Sequence, residues 1–328
     1  MLGLRLLYVA HAASARALRL RAPLRHLSDL SELQGGGRAC SATMASAQTA
    51  EPAATQRGGD LHGLILVRKP HGWTSRQVVD SIGISLDRFQ PLPRAAGEKR
   101  LRHKVGHGGT LDPLATGLLV IGVGRGCREL APYLKGSKAY RALATFGTET
   151  TTQDSSGEVN RTASASHITL EAIQAALPAL TGSIMQRPPA YSAIRFNGNR
   201  SYDLARKGKL KDEDMTPREV EVFELRATAL ERVELADESS SLVAELFVEC
   251  GGGVYIRSLI VDIARALGSA AHMSALERVK QGPFLLDGGS VRVLTMKESW
   301  KHSQQDSKQA VAIMEAFDSA ASHSRSAQ

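Results

Sequence analysis

The 328-residue chain is poor in cysteine and in aromatic residues. Its 3 cysteines, Cys40, Cys127 and Cys250, form no CxxC pair. That speaks against a disulfide framework or a four-ligand zinc site, and suits thiols in a reducing compartment. Aromatic residues are 5% of the chain, so few side chains are available as stacking surfaces. No apolar stretch reaches the roughly 20 residues that a membrane-spanning helix needs. Nucleotide-binding signatures are weak. The glycines at Gly122, Gly124 and Gly126 have the wrong spacing for GxGxxG, and no GK[ST] ending occurs. A nucleotide-dependent oxidoreductase would rest on those glycines alone.

Apolar residues and base are plentiful. Hydrophobic residues are 42% of the chain and charged residues 23%, enough for one large domain. A net charge of +8 suits a polyanionic partner such as RNA. Half of that excess lies in residues 1–43, where Arg5, Arg16, Arg19, Arg21, Arg25 and Arg38 face Asp29 and Glu32. This segment is rich in Ala, Leu and Ser, and Leu4, Leu7, Tyr8 and His11 share one helical face. The composition predicts a mitochondrial transit peptide, and hence the mitochondrial matrix. A secretory signal is the competing reading, but the apolar run at 6–10 is short and stops at His11. Initiation at Met44 would remove the leader and give a nuclear or cytosolic form. We expect a disordered leader over 1–59, a catalytic domain over 60–290, and a polar tail over 291–328 with one short helix near 310–317.

Continuous apolar runs predict strands at 64–67, 118–123 and 139–146, and strict alternation predicts one at 242–250. Helical periodicity predicts helices at 75–86, capped by Thr74 or Ser75, at 169–180, and at 254–267. Strands outnumber helices and do not alternate with them in a βαβ rhythm. The expected class is therefore α+β, with a mixed, largely antiparallel central sheet flanked by helices. Two basic segments stand out. Residues 87–104 carry Arg88, Arg94, Lys99, Arg100, Arg102 and Lys104, and a second cluster holds Arg206, Lys207, Lys209 and Lys211. Each is either a solvated surface or a phosphate contact.

The most informative stretch is GHGGTLDPLATGLLV at 106–120. One carboxylate, Asp112, sits in a glycine-rich, nearly charge-free loop that runs into an apolar strand. The stretch resembles the GHxGTLDPxATGxL signature of TruB-type tRNA pseudouridine synthases. Five further segments are similar to the family's motifs, in the family's order: KPHGWTS at 69–75, KAYR at 138–141, QRPPAYSA at 186–193, GGGVYIRSL at 251–259 and QGPF at 281–284. Some positions depart. Thr151 stands where bacterial members have Asp, with Asp154 kept; Gly108 replaces a Thr; Arg195 replaces a Lys.

The resemblance implies the pseudouridine synthase fold with a central RNA-binding cleft, and isomerisation of uridine to pseudouridine in tRNA, at position 55 of the T-loop. It implies no cofactor and no metal. Asp112 would be the nucleophile, attacking the uridine at either the base or the sugar. Burial would tend to neutralise such a carboxylate, and a guanidinium offsets that through a bidentate pair. The motif assigns that role to Arg257. The target base must be flipped out of its stack, and an aromatic platform recovers part of the cost. The motif assigns the platform to Tyr140. His107 would contact RNA beside the flipped nucleotide. Lys69 would support the Asp loop or a phosphate. Tyr255, Tyr191 and Arg141 complete the expected substrate contacts. The expected partner is the tRNA T-arm stem-loop, bound by a monomer without membrane or small-molecule cofactor, with messenger RNA open as a second substrate. No PUA domain is expected after Phe284. An RNA-binding chaperone of tRNA folding, with incidental catalysis, is the alternative.

Overall fold

The computed structural model describes residues 61–89, 91–92, 102–234, 240–287 and 293–296. The expected leader, most of the basic 87–104 segment and the helix expected near 310–317 lie outside the described residues. The strands, in chain order, are β1 (Gly63–Lys69), β2 (Val105–His107), β3 (Thr116–Val123), β4 (Lys138–Phe146), β5 (Thr148–Thr150), β6 (Val159–Thr162) and β7 (Gly182–Gln186). They continue with β8 (Arg195–Phe196), β9 (Asn199–Arg200), β10 (Arg218–Glu234), β11 (Ser240–Cys250), β12 (Ala271–Gln281), β13 (Phe284–Leu285) and β14 (Val293–Thr295). The helices are α1 (Ser75–Phe89), α2 (Ala131–Lys135), α3 (Leu170–Ala176), α4 (Ser201–Arg206) and α5 (Ile256–Ala266).

Ten strands form one sheet, with the path β14-β1-β3-β12-β4-β11-β10-β7; β2 joins β3 and β13 joins β12. Among the described residues its parallel pairings are β1–β14 and β3–β12, and the others are antiparallel. The α+β class with a mixed, largely antiparallel sheet is thus what forms. The edge strand β14 lies just beyond residue 290, where the sequence reading starts the tail. Its register, Leu66 against Val293 and Val67 against Leu294, extends the sheet past β1.

Alternation decides the faces. On β11, Leu242, Ala244, Leu246, Val248 and Cys250 are buried. They meet Tyr140, Ala142, Ala144 and Phe146 of β4, and Leu259, Ile260 and Ile263 of α5, in the largest core cluster. Helix α1 buries Val78, Val79, Ile82 and Leu86 against Ile65, Val67, Leu119 and Ile121. Its start is a capping box: the Gln77 N–H donates to Thr74 Oγ1 at 3.1 Å, and the Thr74 N–H to Gln77 Oε1 at 2.8 Å. The helix expected over 169–180 begins as foreseen, with Thr169 Oγ1 accepting from the Ala172 N–H. It then tightens to a 3₁₀ turn over Leu177–Leu180. Pro178 is the cause, since its ring clashes with the preceding turn and it offers no N–H.

Candidate active site

Asp112 lies in the loop between β2 and β3, its side chain 33% exposed. The KPHGWTS segment holds that loop from beneath. Lys69 is 0% exposed. Its Nζ donates to Trp73 O at 2.5 Å, Pro70 O at 3.0 Å and Pro113 O at 3.2 Å. The Gly72 N–H also donates to Pro113 O, at 2.8 Å. Ser75 Oγ donates to Leu111 O at 3.1 Å and accepts from the Leu111 N–H at 2.8 Å. Both residues flanking Asp112 are therefore tied to the segment from the end of β1 to the start of α1. Lys69 supports the loop; a side chain with no exposed surface does not reach a phosphate.

Arg257, in the first turn of α5, is buried and uses three nitrogens in three directions. Nε donates to Asp112 Oδ2 at 2.9 Å, Nη1 to Thr152 O at 2.8 Å and Nη2 to Tyr191 O at 2.9 Å. The contact with Asp112 is thus single, not the bidentate fork expected, because the other two nitrogens are committed to backbone carbonyls. Asp154 Oδ2 stands 4.0 Å from Arg257 Nε. Its other oxygen accepts from Thr152 Oγ1 at 2.7 Å and from the Ser156 N–H at 3.0 Å, which shapes the turn that presents the Thr152 carbonyl. The Asp-to-Thr departure at Thr151 leaves this arrangement intact.

Tyr140, on β4, is 8% exposed. Burial pushes its hydroxyl up to about 12, against the lowering effect of Arg278. His107 closes β2 and is half-buried. Burial first, then the charges of Arg278 and Arg76, lower its pKa. A neutral ring follows, and its Nδ1 accepts from the Gly109 N–H at 3.4 Å. Arg257 thus reaches Asp112 directly, while Tyr140 lies within the influence of its charge and His107 bonds the loop at Gly109.

A family pattern described as TruB family pseudouridylate synthase, N-terminal domain, matches residues 98–256, and the tRNA pseudouridylate synthase B C-terminal domain matches residues 257–320. The tRNA pseudouridine synthase B of Arthrobacter sp. (strain FB24) is 40% identical over 227 residues, covering 69% of this chain and 68% of that protein. The chain belongs to the TruB family of pseudouridylate synthases. The pseudouridylate synthase TRUB1 of Mus musculus is also 40% identical, covering 69% of this chain and 64% of that protein. Among solved structures, a Cbf5-Nop10-Gar1 complex aligns at a TM-score of 0.49 and 26% identity; the match takes in 76% of this chain and 59% of that one.

Within this TruB-family chain the two patterns meet between Ile256 and Arg257, so the Asp112–Arg257 contact joins one matched segment to the other. Tyr255 lies at the N-cap of α5, its backbone clamped by Gln186: its N–H donates to Gln186 Oε1 at 2.8 Å, and Gln186 Nε2 donates to its carbonyl at 3.1 Å. The Arg218 guanidinium sits over its ring at 5.5 Å. Tyr191 contributes its carbonyl to Arg257, while its ring meets Tyr202 edge-on at 6.0 Å. Arg141 lies apart from these side chains. It follows Tyr140 on a strand, so it points to the opposite face, exposed between Phe247 and Glu277 of the neighbouring strands.

Three residues beneath the loop were not singled out as site residues. Gln281 is buried; its Nε2 donates to Gly108 O at 2.6 Å and its Oε1 accepts from the Val120 N–H at 3.3 Å. Lys138 is buried, with Nζ donating to Gly136 O at 2.6 Å and Leu134 O at 2.9 Å. Arg278 lies beside Tyr140 in the register of β12 on β4. Its signal in the sequence is an arginine at an inward position of a strand whose preceding inward residues, Ala271, Met273 and Leu276, are apolar.

Proposed function

We propose that this chain isomerises uridine to pseudouridine in tRNA, at position 55 of the T-loop, with Asp112 as nucleophile. The single observation that carries the reading is the 2.9 Å contact between Arg257 Nε and Asp112 Oδ2, on a carboxylate that keeps an exposed edge. A charge-assisted contact at that distance fixes the direction in which the carboxylate faces its target. The N1–C1′ glycosidic bond breaks, the base turns over, and a C5–C1′ bond forms. The proton on C5 leaves and N1 ends with one. Substrate and product hold the same atoms, so no oxidant or group donor enters.

Tyr140 is the platform for the flipped base, recovering on the order of 1–3 kcal/mol of stacking. His107, neutral and beside the loop, contacts RNA through hydrogen bonds, and Tyr255 and Tyr191 line the approach. The proposed active form is a monomer. The proposed compartment is the mitochondrial matrix, on the composition of residues 1–43. Messenger RNA folding a similar stem-loop is a proposed second substrate.

The test is pseudouridine mapping on a T-arm stem-loop RNA mixed with the parent protein or with Asp112→Asn. Product at the T-loop uridine with the parent alone is the expected result. Binding by both proteins without product from either would overturn the catalytic reading in favour of a tRNA-folding chaperone.

A further inference from the structure

Arg278 is among the largest side chains in the interior and is 1% exposed. Two carbonyls accept from it, and a phenol lies beside it. Nε donates to Leu118 O at 2.7 Å, on β3, and Nη2 to Gly109 O at 3.2 Å, three residues before Asp112. Tyr140 stands directly opposite Arg278 in the β4–β12 pairing, its hydroxyl near enough to feel the guanidinium charge. Two backbone features serve this placement. A register shift between Arg278 and Lys280 marks a bulge, the device by which strands re-aim a side chain. Gly117, at φ +98°, lies so close to Arg278 that a Cβ there would sit 2.3 Å from its carbonyl oxygen. A buried guanidinium is costly unless its N–H groups are bonded, and apolar residues of similar volume often do as well for stability. The charged fork therefore serves geometry: one planar group spans three separate strands and loops.

We propose that Arg278 is a positioning residue, which locks the ring of Tyr140 and the Asp112 loop into one rigid unit; this rests on the pseudouridine synthase reading of the site. Arg278 does not touch the substrate. It fixes the tilt of the stacking ring through the hydroxyl and the height of the loop through Gly109 O. Both surfaces that meet the uridine then move together or not at all.

The experiment compares the parent protein with Arg278→Gln, Tyr140→Phe and the double variant, using the T-arm stem-loop RNA. Single-turnover rate at saturating RNA, RNA Kd and melting temperature are read for each. Arg278→Gln is expected to slow the single-turnover step about 100-fold, the scale of a misplacement near 1 Å, with Kd within about threefold. Tyr140→Phe keeps the ring and loses the anchor, so it slows the same step by roughly tenfold or more at unchanged Kd. The double variant is expected to be no slower than Arg278→Gln by more than about threefold, because both changes cut one link. A single-turnover rate for Arg278→Gln near that of the parent, or losses that multiply in the double variant, overturns the proposal. Should Arg278→Gln show no cooperative melt, Tyr140→Phe decides: a parental rate overturns the proposal, and a slow rate at unchanged Kd supports it. An inactive parent protein would remove the functional reading and this inference with it, whereas an active parent with unaffected variants removes the inference alone.

Discussion

Replacing Lys69 by Met separates two roles that the motif alone leaves open. Met matches most of the lysine's length and removes the charge and its donors. The structure gives the ammonium three acceptors, Trp73 O, Pro70 O and Pro113 O, all within 3.2 Å. Pro113 O would keep the Gly72 N–H at 2.8 Å. The other two carbonyls lose a charged donor, at about 1–3 kcal/mol each. Part of that loss is returned, because an ammonium no longer has to be desolvated. The net expectation is a loss of about 2–4 kcal/mol of stability. For a domain of this size that lowers the melting temperature by roughly 4–15 °C. Calorimetry gives the stability, and filter binding of the T-arm RNA across a salt series gives the affinity. Pseudouridine formation should fall with the loop's order, while the salt dependence of binding stays as in the parent. If instead the melting temperature holds and the salt slope falls by about one, Lys69 contacts a phosphate and the argument from its burial is wrong.

Two further outcomes follow from the same neighbourhood. Burial, and then the Arg278 charge, push Lys138 down to about 8 from an ordinary lysine's 10.5, so between those values the unfolded chain holds a proton that the folded chain lacks. Unfolding free energy should therefore rise with pH across that window, and Lys138→Met should remove the rise in urea melts; a rise of the same size in the variant refutes it. Gly117→Ala puts a Cβ 2.3 Å from Arg278 O at φ +98°, and should cost about 2–4 kcal/mol in a denaturant melt, with unchanged stability as the refuting result.

Much of the fold was legible because burial imposes a period on the chain. The alternation of β11 and the helical spacing of α5 put Leu246 and Leu259 in the core, where both are found. Boundaries followed local chemistry: Thr74 and Thr169 cap helices, and Pro178 converts the end of one into a 3₁₀ turn. Topology was less legible. Nothing in the local pattern says that β12 lies between β3 and β4, or that β14 returns parallel to β1, since such pairings join residues far apart in sequence.

The site divides in the same way. The sequence by itself brought forward the residues proposed to carry the chemistry, because Asp112, Arg257 and Tyr140 stand in motifs whose residue types fit the reaction. It also determined the α+β class, through periodicity. Only the tertiary structure decided what each group touches. It turned Arg141 to the far face of the sheet, spread the nitrogens of Arg257 over one carboxylate and two carbonyls, and buried Lys69 and Arg278 as supports of the loop. The reason is physical: residue type and spacing fix what a side chain can do, but hydrogen-bond partners are set by segments brought together across more than a hundred residues, and only packing brings them there.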